Sequence, residues 1–171
     1  GDGMYAANCE LVRRRSNDGG TTWQDEGPLH DKSADDRPRS YHCTFVSRMR
    51  DGLLVVFCFR VDRSNPEQEL FSETGGVIEN ETLLITSRDD GHTWSAPQVL
   101  ELSTSLVLTP AQSIIELDDG RWYATFDQWP AFDDPGPYKP RMLGFTSNDR
   151  GQTWTDMDRQ RQRQRDTERQ T

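Results

Sequence analysis

The chain has 171 residues, enough for one ordinary domain, and its hydrophobic fraction of 32% is low for a helical core. Five Trp and seven Phe supply bulky apolar groups, which suits many short, half-exposed strands. A formal net charge of −9 argues against nucleic acid and anionic membranes as partners, because binding phosphate requires clustered Lys and Arg. No apolar run approaches the roughly 18 residues of a membrane span, so we predict none.

The first predicted element is a turn with the pattern S-x-D-x-G-x-T-W, which occurs at residues 16–23 and recurs at 87–94 and 147–154. Its Asp can accept hydrogen bonds from nearby backbone N–H groups, and its Gly can take a positive φ. Its Trp can fold back as an apolar plug. The fixed positions are Ser16, Asp18, Gly20, Thr22 and Trp23, then Ser87, Asp89, Gly91, Thr93 and Trp94, then Ser147, Asp149, Gly151, Thr153 and Trp154.

We interpret each copy of this motif as a rigid hairpin turn that connects two strands. The alternative is a ligand or calcium loop, since aspartates are frequent in it. One short-range Asp per copy supplies too few oxygens for a calcium ion, which takes about six to eight ligands. We therefore predict no metal site, and nothing in the chain suggests a cofactor.

Around the motifs the chain repeats a pattern of four strands. Residues 1–29 supply the last hairpin of a preceding unit, 30–101 a complete unit, and 102–155 a second unit. Asp51-Gly52 and Asp119-Gly120 mark the tight turns between the first two strands of each complete unit. The predicted strands are 41–50, 53–59, 82–86 and 97–100, and then 112–117, 122–126 and 141–146.

Four-stranded antiparallel units of this length are typical of propeller blades. The sequence therefore predicts an all-β chain with about two and a half blades of a β-propeller. Closed propellers have about four to eight blades, so this chain is expected not to close a ring. Because the chain begins at Gly1, without Met or an apolar signal region, we interpret it as a fragment.

Residues 156–171 are rich in Arg and Gln and lack apolar alternation. An arginine-rich tail that binds nucleic acid is one interpretation of this segment. A disordered low-complexity end, where a longer propeller was cut off, is the interpretation we favour.

The three cysteines are Cys9, Cys43 and Cys58. Such an odd, sparse count argues against a disulfide framework. Counting outward from Asp51-Gly52 pairs Phe45 with Cys58 and Cys43 with Arg60, so a direct bridge between Cys43 and Cys58 is not expected. We predict buried free thiols.

Three S-x-D-x-G-x-T-W motifs beside tight hairpins resemble the Asp boxes, or BNR repeats, of the sialidase (neuraminidase) superfamily. The resemblance covers roughly residues 9–155 and implies a sialidase-like β-propeller. Asp boxes also occur in sortilin-type receptors and other non-catalytic propellers, so the resemblance is less specific for activity. It favours an extracellular or periplasmic location and a carbohydrate, sialylated or related, as the partner.

Because the strands alternate in direction, the motif turns share one face and the longer loops share the other. The longer loops are 30–41, 61–81, 102–110 and 127–140, and a site is expected on their face. By resemblance, sialidases clamp a substrate carboxylate with three arginines, use a Tyr–Glu pair as nucleophile, and use an Asp as acid/base. The Tyr–Glu pair and further arginines would lie in blades that this chain lacks.

The first family arginine normally opens the first strand of a blade. Alignment on Gly52 places His42 there, and the second unit has Pro110, so Arg37 and Arg39 just upstream are candidate substitutes. Arg60 and Asp62 fall near the position of the family's acid/base. The resemblance thus implies Asp62 as acid/base and four substrate contacts: Arg37, Arg39, His42 and Arg60.

Each candidate also has a purely structural interpretation. Arg37, Arg39 and Arg63 can be solvated loop charges, Asp62 can brace a neighbouring Arg, and His42 can be a packed, hydrogen-bonded histidine. Aromatic side chains of the Pro-rich loop can stack on a sugar or pack over the sheet. These aromatics are Trp129, Phe132 and Tyr138.

Two functions therefore remain open from the sequence. One is a fragment of a sialidase-like exo-glycoside hydrolase acting on terminal sialic acid or a related sugar. The other is a non-catalytic Asp-box propeller that binds glycan or protein, which the missing strand-opening arginine favours. In both cases we expect the isolated chain to be inactive, because a glycosidase requires its acid and its nucleophile together.

Overall fold

A computed structural model describes residues 7–102, 104, 106–136, 139 and 141–157. The described residues form an all-β fold with three antiparallel sheets, none of which closes on itself. The strands are β1 (Val12–Arg15), β2 (Gln24–Pro28), β3 (Arg39–Arg48), β4 (Leu54–Asp62), β5 (Asn80–Ser87), β6 (Gln98–Val99), β7 (Val107–Pro110), β8 (Ile115–Glu116), β9 (Trp122–Trp129), β10 (Arg141–Ser147) and β11 (Thr155–Asp156). One 3-10 turn, Lys32–Ala34, precedes β3.

The sheets follow the chain in order. β1 and β2 form a two-stranded sheet, β3-β4-β5-β6 a four-stranded sheet, and β7 to β11 a third sheet in which both β7 and β8 pair with β9. Each copy of the repeated motif joins two antiparallel neighbours, namely β1 to β2, β5 to β6, and β10 to β11. The motif thus connects strands as the sequence predicts.

The predicted pairing of β3 with β4 is wrong by one residue. Phe45 pairs with Phe57, and Cys43 lies in a bulge between His42 and Phe45, with a φ of 48°. The turn has three residues rather than two, because Met49 and Leu53 close it and Gly52 takes a φ of 86°. The extra turn residue and the bulge each shift the register.

The first strand of the third sheet also differs from the prediction. In place of one strand over 112–117, two short strands, β7 and β8, pair with different parts of β9. β7 lies within the predicted loop 102–110, so that loop is shorter than expected. Between the two strands, the Ala111 N–H donates to the Thr125 carbonyl at 3.0 Å, which continues the ladder.

The four-stranded sheet lies between the other two, and both of its faces are covered. Val55 and Phe57 point into the core shared with the third sheet, where the Phe57 and Phe126 rings meet edge to face, 5.3 Å apart. Val56 and Cys58, on the opposite face, pack with Leu11 from the first sheet. This double burial explains why β4 is a continuous apolar run rather than an alternating one.

A third apolar cluster holds the long loops together at the end of the sheets opposite the motif turns. Phe71 and Trp129 lie with their ring centroids 5.5 Å apart, and both pack against the buried cluster that includes Val77. The Val77 N–H donates to the Pro130 carbonyl at 3.0 Å. Two loops that belong to neighbouring sheets are therefore joined by backbone as well as side-chain contacts.

The three cysteines are free, and no disulfide links them. Only Cys58 is buried, whereas Cys9 is half-buried and Cys43 is exposed, so the prediction of buried thiols is wrong for Cys43. The bulge explains the exposure, because it removes Cys43 from the regular alternation of β3.

Most of the predicted low-complexity tail lies outside the described residues. Asp156, assigned by the sequence to that tail, belongs to β11 and pairs with Phe145. Within the described part of the chain, no helix has the length and hydropathy needed to cross a membrane.

Candidate functional site

The candidate site lies at the end of the four-stranded sheet where β3 begins, β4 ends and β5 begins. Antiparallel pairing places Arg39 opposite Asp62, and Arg60 opposite Glu81. With Arg37 from the preceding loop, these side chains line a cleft of about 230 Å³, the arginine cleft. Of the five predicted site residues, the structure brings Arg37, Arg39, Arg60 and Asp62 together here.

Arg39 is buried at the base of the arginine cleft, with 6% of its surface exposed. Its guanidinium lies 3.0 Å from a carboxylate oxygen of Asp36 and 3.6 Å from one of Glu81. Two carboxylates therefore hold Arg39 in place, and the idea that it is a solvated loop charge is wrong.

Arg60 links two carboxylates across the sheet. Its Nε donates to Glu81 at 2.7 Å and its Nη1 to Asp35 at 3.2 Å. The Asp35 carboxylate is 2% exposed and also accepts hydrogen bonds from the Tyr41 hydroxyl and from His30. Burial raises the pKa of Tyr41, so its hydroxyl stays a donor to Asp35 at ordinary pH.

Asp62 lies at the rim of the cleft, and its environment favours the carboxylate form. The Ser64 N–H donates to its Oδ1 at 2.7 Å and Arg37 to its Oδ2 at 3.2 Å. Hydrogen bonds from Ser64, together with the adjacent Arg37 guanidinium, lower the pKa of Asp62 to about 2. Asp62 is thus an acceptor with no bound proton near neutral pH.

His42 lies outside the cleft, because it is on the opposite face of β3 from Arg39 and Tyr41. It is 4% exposed, packs against Phe59 with ring centroids 5.3 Å apart, and lies 2.8 Å from the Ser40 hydroxyl. This environment is that of a packed core histidine.

The aromatic candidates of the Pro-rich loop have different surroundings. Trp129 packs on Phe71 and donates its Nε1–H to the Thr109 hydroxyl at 2.9 Å, so it is part of the loop cluster. Phe132 is half-buried and lines a separate acidic cleft with Glu69 and Asp134. Tyr138 lies outside the described residues.

The repeated motifs occupy the opposite end of the sheets and use their polar groups internally. In the second copy, the Asp89 carboxylate accepts from the Thr93 N–H at 2.9 Å, from the Thr93 hydroxyl at 2.6 Å and from Ser87. Trp94 donates its indole N–H to the Gly91 carbonyl at 2.9 Å. The other two copies repeat these bonds. The motif carboxylates are therefore committed to the turn and not to a ligand.

The turns of this end also contact one another. Asp51 in the β3–β4 turn forms ion pairs with Arg88 of the second motif and with Arg150 of the third. The tight turns and the motif turns therefore share one face, with the arginine cleft on the other.

The three repeated turns and the sheets they join are matched by one family model. It is described as a BNR repeat-like domain and covers residues 5–168, which is nearly all of the chain. The chain belongs to the BNR repeat-like domain family. No curated protein matches the sequence significantly.

Two solved structures resemble this BNR repeat-like chain. One is a protein of unknown function from Dyadobacter fermentans, with a TM-score of 0.66 and 17% identity over 91% of this chain. The other is the Hadza microbial sialidase Hz136, with a TM-score of 0.66 and 20% identity over 86% of this chain. The aligned part is 45% of the first protein and 30% of the second, so the chain spans less than half of either. These likenesses establish a sialidase-like fold.

Sequence reasoning missed the carboxylates of the arginine cleft in the BNR repeat-like chain. Asp35, Asp36 and Glu81 supply most of the ion pairs to its arginines. Asp35 and Asp36 could have been noticed, because they immediately precede Arg37 in a site-face loop. Glu81 is distant in sequence, and only strand pairing brings it to Arg60.

Proposed function

We propose that the chain is part of a sialidase-like exo-glycoside hydrolase that acts on terminal sialic acid or a related sugar, and that the arginine cleft belongs to its substrate site. The observation that carries this proposal is the convergence of Arg37, Arg39, Arg60 and Asp62 at one open cleft. The cleft lies at the end of the sheet opposite the motif turns. That end carries the longer loops, where binding residues concentrate in scaffolds of this kind.

In this proposal, the three sheets are parts of propeller blades. Residues 1–29 provide the last hairpin of one blade, residues 30–101 a complete blade, and residues 102–155 most of a second. The motifs serve as Asp boxes. The remaining blades, with the nucleophile, belong to the longer parent protein, which is consistent with the chain spanning 45% and 30% of the two similar structures.

The three arginines have two different roles in the proposed site. Arg37 has a side chain that is 51% exposed, so its planar fork can turn from Asp36 and Asp62 toward a substrate carboxylate. Arg39 and Arg60 are held by carboxylates and keep the base of the cleft rigid.

In this scheme Asp62 acts as acid/base. Substrate must bind first, because bound substrate raises the pKa of Asp62 and so lets the carboxyl hold a proton. A general acid works best with a pKa near the operating pH, whereas the bonds from Ser64 and Arg37 hold the pKa of Asp62 at about 2 when no substrate is bound. A substrate carboxylate that draws Arg37 away removes a neighbouring positive charge, and the sugar excludes water from the carboxyl. Both changes raise the pKa of Asp62.

The test is hydrolysis of a fluorogenic sialoside by the full-length parent protein. We expect Asp62→Asn to lower kcat by about 100-fold or more, as for loss of a general acid/base. The control is Asp119→Asn, because Asp119 pairs with Arg121 in an exposed turn on the opposite face. No turnover by a correctly folded parent, or full activity in Asp62→Asn, would contradict the proposal.

A second candidate function is a non-catalytic propeller that binds glycan or protein. The charge balance of the cleft favours it, because Arg37, Arg39 and Arg60 face four carboxylates in their ion pairs. The carboxylates are Asp35, Asp36, Asp62 and Glu81. Binding of the parent to a glycan array, without turnover of any bound glycan, would support this function.

A further inference from the structure

We propose that His30 sets the charge of the arginine cleft through Asp35 and Arg60, so that the cleft binds an anionic ligand more tightly when the imidazole is protonated. The identification of that ligand as an acidic sugar rests on the proposed function. The coupling between His30 and Arg60 does not, because it follows from contacts within the chain.

A buried carboxylate connects His30 to the arginine cleft. The His30 Nε2 lies 2.9 Å from the Asp35 Oδ1, and the Arg60 Nη1 donates to the same oxygen at 3.2 Å. The side chain of Asp35 is 2% exposed, so little water screens these contacts. A change of charge on His30 therefore acts on Arg60 across one shared oxygen atom.

The hydrogen bond between His30 and Asp35 is compatible with both charge states of the imidazole. A carboxylate only accepts hydrogen bonds, so the Nε2 atom that faces Asp35 carries a hydrogen. Protonation adds the second hydrogen at Nδ1, and with it one positive charge. A change in pH therefore alters the charge beside Asp35, while the contact that holds the ring stays the same.

The arginine cleft has an excess of carboxylates that this charge would offset. Among the described residues, its three arginines are ion-paired with four carboxylates. Protonated His30 brings the balance to four cations and four anions. An anionic ligand held by Arg37 is then repelled less, because the excess negative charge around it is gone.

Charged or titratable groups from the loop and from three strands surround His30. They are Asp31 and Asp35 of its own loop, Tyr41 of β3, and, beyond Asp35, Arg60 of β4 and Glu81 of β5. Hydrogen bonds from Ser33 lower the pKa of Asp31, and burial raises the pKa of Tyr41. Neither group therefore changes its charge between about pH 5 and pH 8, the range in which histidine side chains ordinarily do.

Two carboxylates at the rim of the cleft also keep their charge over this range. Hydrogen bonds from Arg37 and Arg39 lower the pKa of Asp36, and the pKa of Asp62 is about 2 before substrate binds. His30 is half-buried, so solvent protons can reach it. It is therefore the group to which we assign the pH dependence of the empty cleft.

The first experiment follows the coupling without any sugar. In the full-length parent, NMR of labelled histidine and arginine side chains measures the His30 ring and the Arg60 Nε–H from about pH 5 to pH 8. We expect the Arg60 signal to shift with the same midpoint as the His30 ring. The shift should vanish in His30→Gln, whose amide can still donate to Asp35. It should persist in the matched control His92→Gln, because His92 is exposed in a motif turn at the opposite end of the sheets.

The second experiment measures turnover of a fluorogenic sialoside by the parent at both ends of this pH range. His30 acts through Asp35 and Arg60, so it is a positioning residue, and its loss should change KM and leave kcat within about twofold. We expect the ratio of KM at pH 8 to KM at pH 5 to be about threefold or more larger in the wild type than in His30→Gln, as for one charge added near the ligand. His92→Gln should keep the wild-type ratio. Comparing variants removes the contribution of Asp62, which is common to all of them.

The proposal is overturned if the Arg60 signal does not follow the His30 ring, or if His30→Gln keeps the wild-type ratio of KM values in an active parent. The comparison of midpoints is made in the wild type, so it decides the question even if His30→Gln does not fold. Failure of the proposed function looks different. Coupled signals in a folded parent that turns over no sialoside would support the role of His30 and contradict the glycosidase.

Discussion

At the scale of single residues, the turn motifs depend on an ionised Asp that accepts three short-range hydrogen bonds. Bonds from the Thr and Ser of the same motif lower the pKa of Asp18 and of Asp149 to about 2. The same contacts, led by Thr93, lower the pKa of Asp89 still further. Since the ordinary value is 3.8, the folded state binds these protons less readily than the unfolded chain.

This difference predicts a defined acid sensitivity. A depressed folded pKa contributes stability that is complete above the unfolded pKa and is lost as the pH falls toward the folded pKa. The motif contribution should therefore be complete above about pH 5 and fall steadily from about pH 4 to pH 2. Urea unfolding across this range would measure it.

Asp89→Ala isolates the effect in one motif. At pH 7, it should lower the unfolding midpoint by several degrees, because three donors lose their acceptor. The gap from wild type should narrow as the pH falls toward 2. The control is Asp90→Asn, since Asp90 is exposed and has a φ of 55°, which Asn tolerates. An equal gap at both pH values would contradict the interpretation.

At the scale of elements, the two long loops that follow β4 and β9 come into close backbone contact at Gly76. A Cβ at Gly76 would overlap the Ala131 carbonyl oxygen and lie 2.9 Å from Phe132 Cα. Both contacts involve backbone, which cannot rotate away. The Val77–Pro130 hydrogen bond next to Gly76 requires this close approach.

Gly76→Ala should therefore separate the loops. We expect a loss of about 1–3 kcal/mol in the free energy of unfolding, as for overpacking, and faster hydrogen exchange at the Val77 amide. The control is Gly144→Ala, whose Cβ would meet the end of the Tyr123 side chain at 3.0 Å, where the ring can shift. Similar losses in both variants would contradict the idea that close backbone contact at Gly76 holds the loops together.

Packing between sheets holds the whole molecule together. The exposure of the three motif tryptophans shows how far each one is covered by a neighbouring sheet. Trp154 is 4% exposed and belongs to the core between the second and third sheets, Trp94 is half-buried, and Trp23 is 60% exposed. All three donate the same indole hydrogen bond to the motif Gly carbonyl. Their burial therefore depends on the neighbouring sheet and not on the turn.

Tryptophan substitutions should separate the contribution of packing against a neighbouring sheet from that of the turn itself. In the 171-residue chain, we expect Trp154→Ala to cost about 3–5 kcal/mol, as for a large buried aromatic, and Trp23→Ala about 1 kcal/mol or less. Urea unfolding gives both values. In the full-length parent, a neighbouring blade would cover Trp23, and the cost of Trp23→Ala should rise. An unchanged cost there would contradict the propeller arrangement.

Several features of the fold were predictable from short stretches of sequence. The motif turns and the tight turns at Gly52 and Gly120 could be located, because their hydrogen bonds join residues a few positions apart. Most strands could be located because they are β-rich runs bounded by these turns. Alternating strand direction predicted that the longer loops share one face, and the resemblance to sialidases singled out Arg37, Arg39, Arg60 and Asp62 on it. The register of β3 against β4 could not be predicted, since a bulge at Cys43 has no reliable local signature.

The sequence by itself determined where the chain turns and which end of the sheets carries the longer loops. Only the tertiary structure decided that Arg63 is buried, that Glu81 pairs with Arg60, and that His42 faces away from the cleft. The physical reason is how far apart in sequence the interacting groups lie. A turn is stabilised by groups within eight residues, whereas burial and ion pairing depend on strands that are far apart in sequence and meet only when the sheets pack.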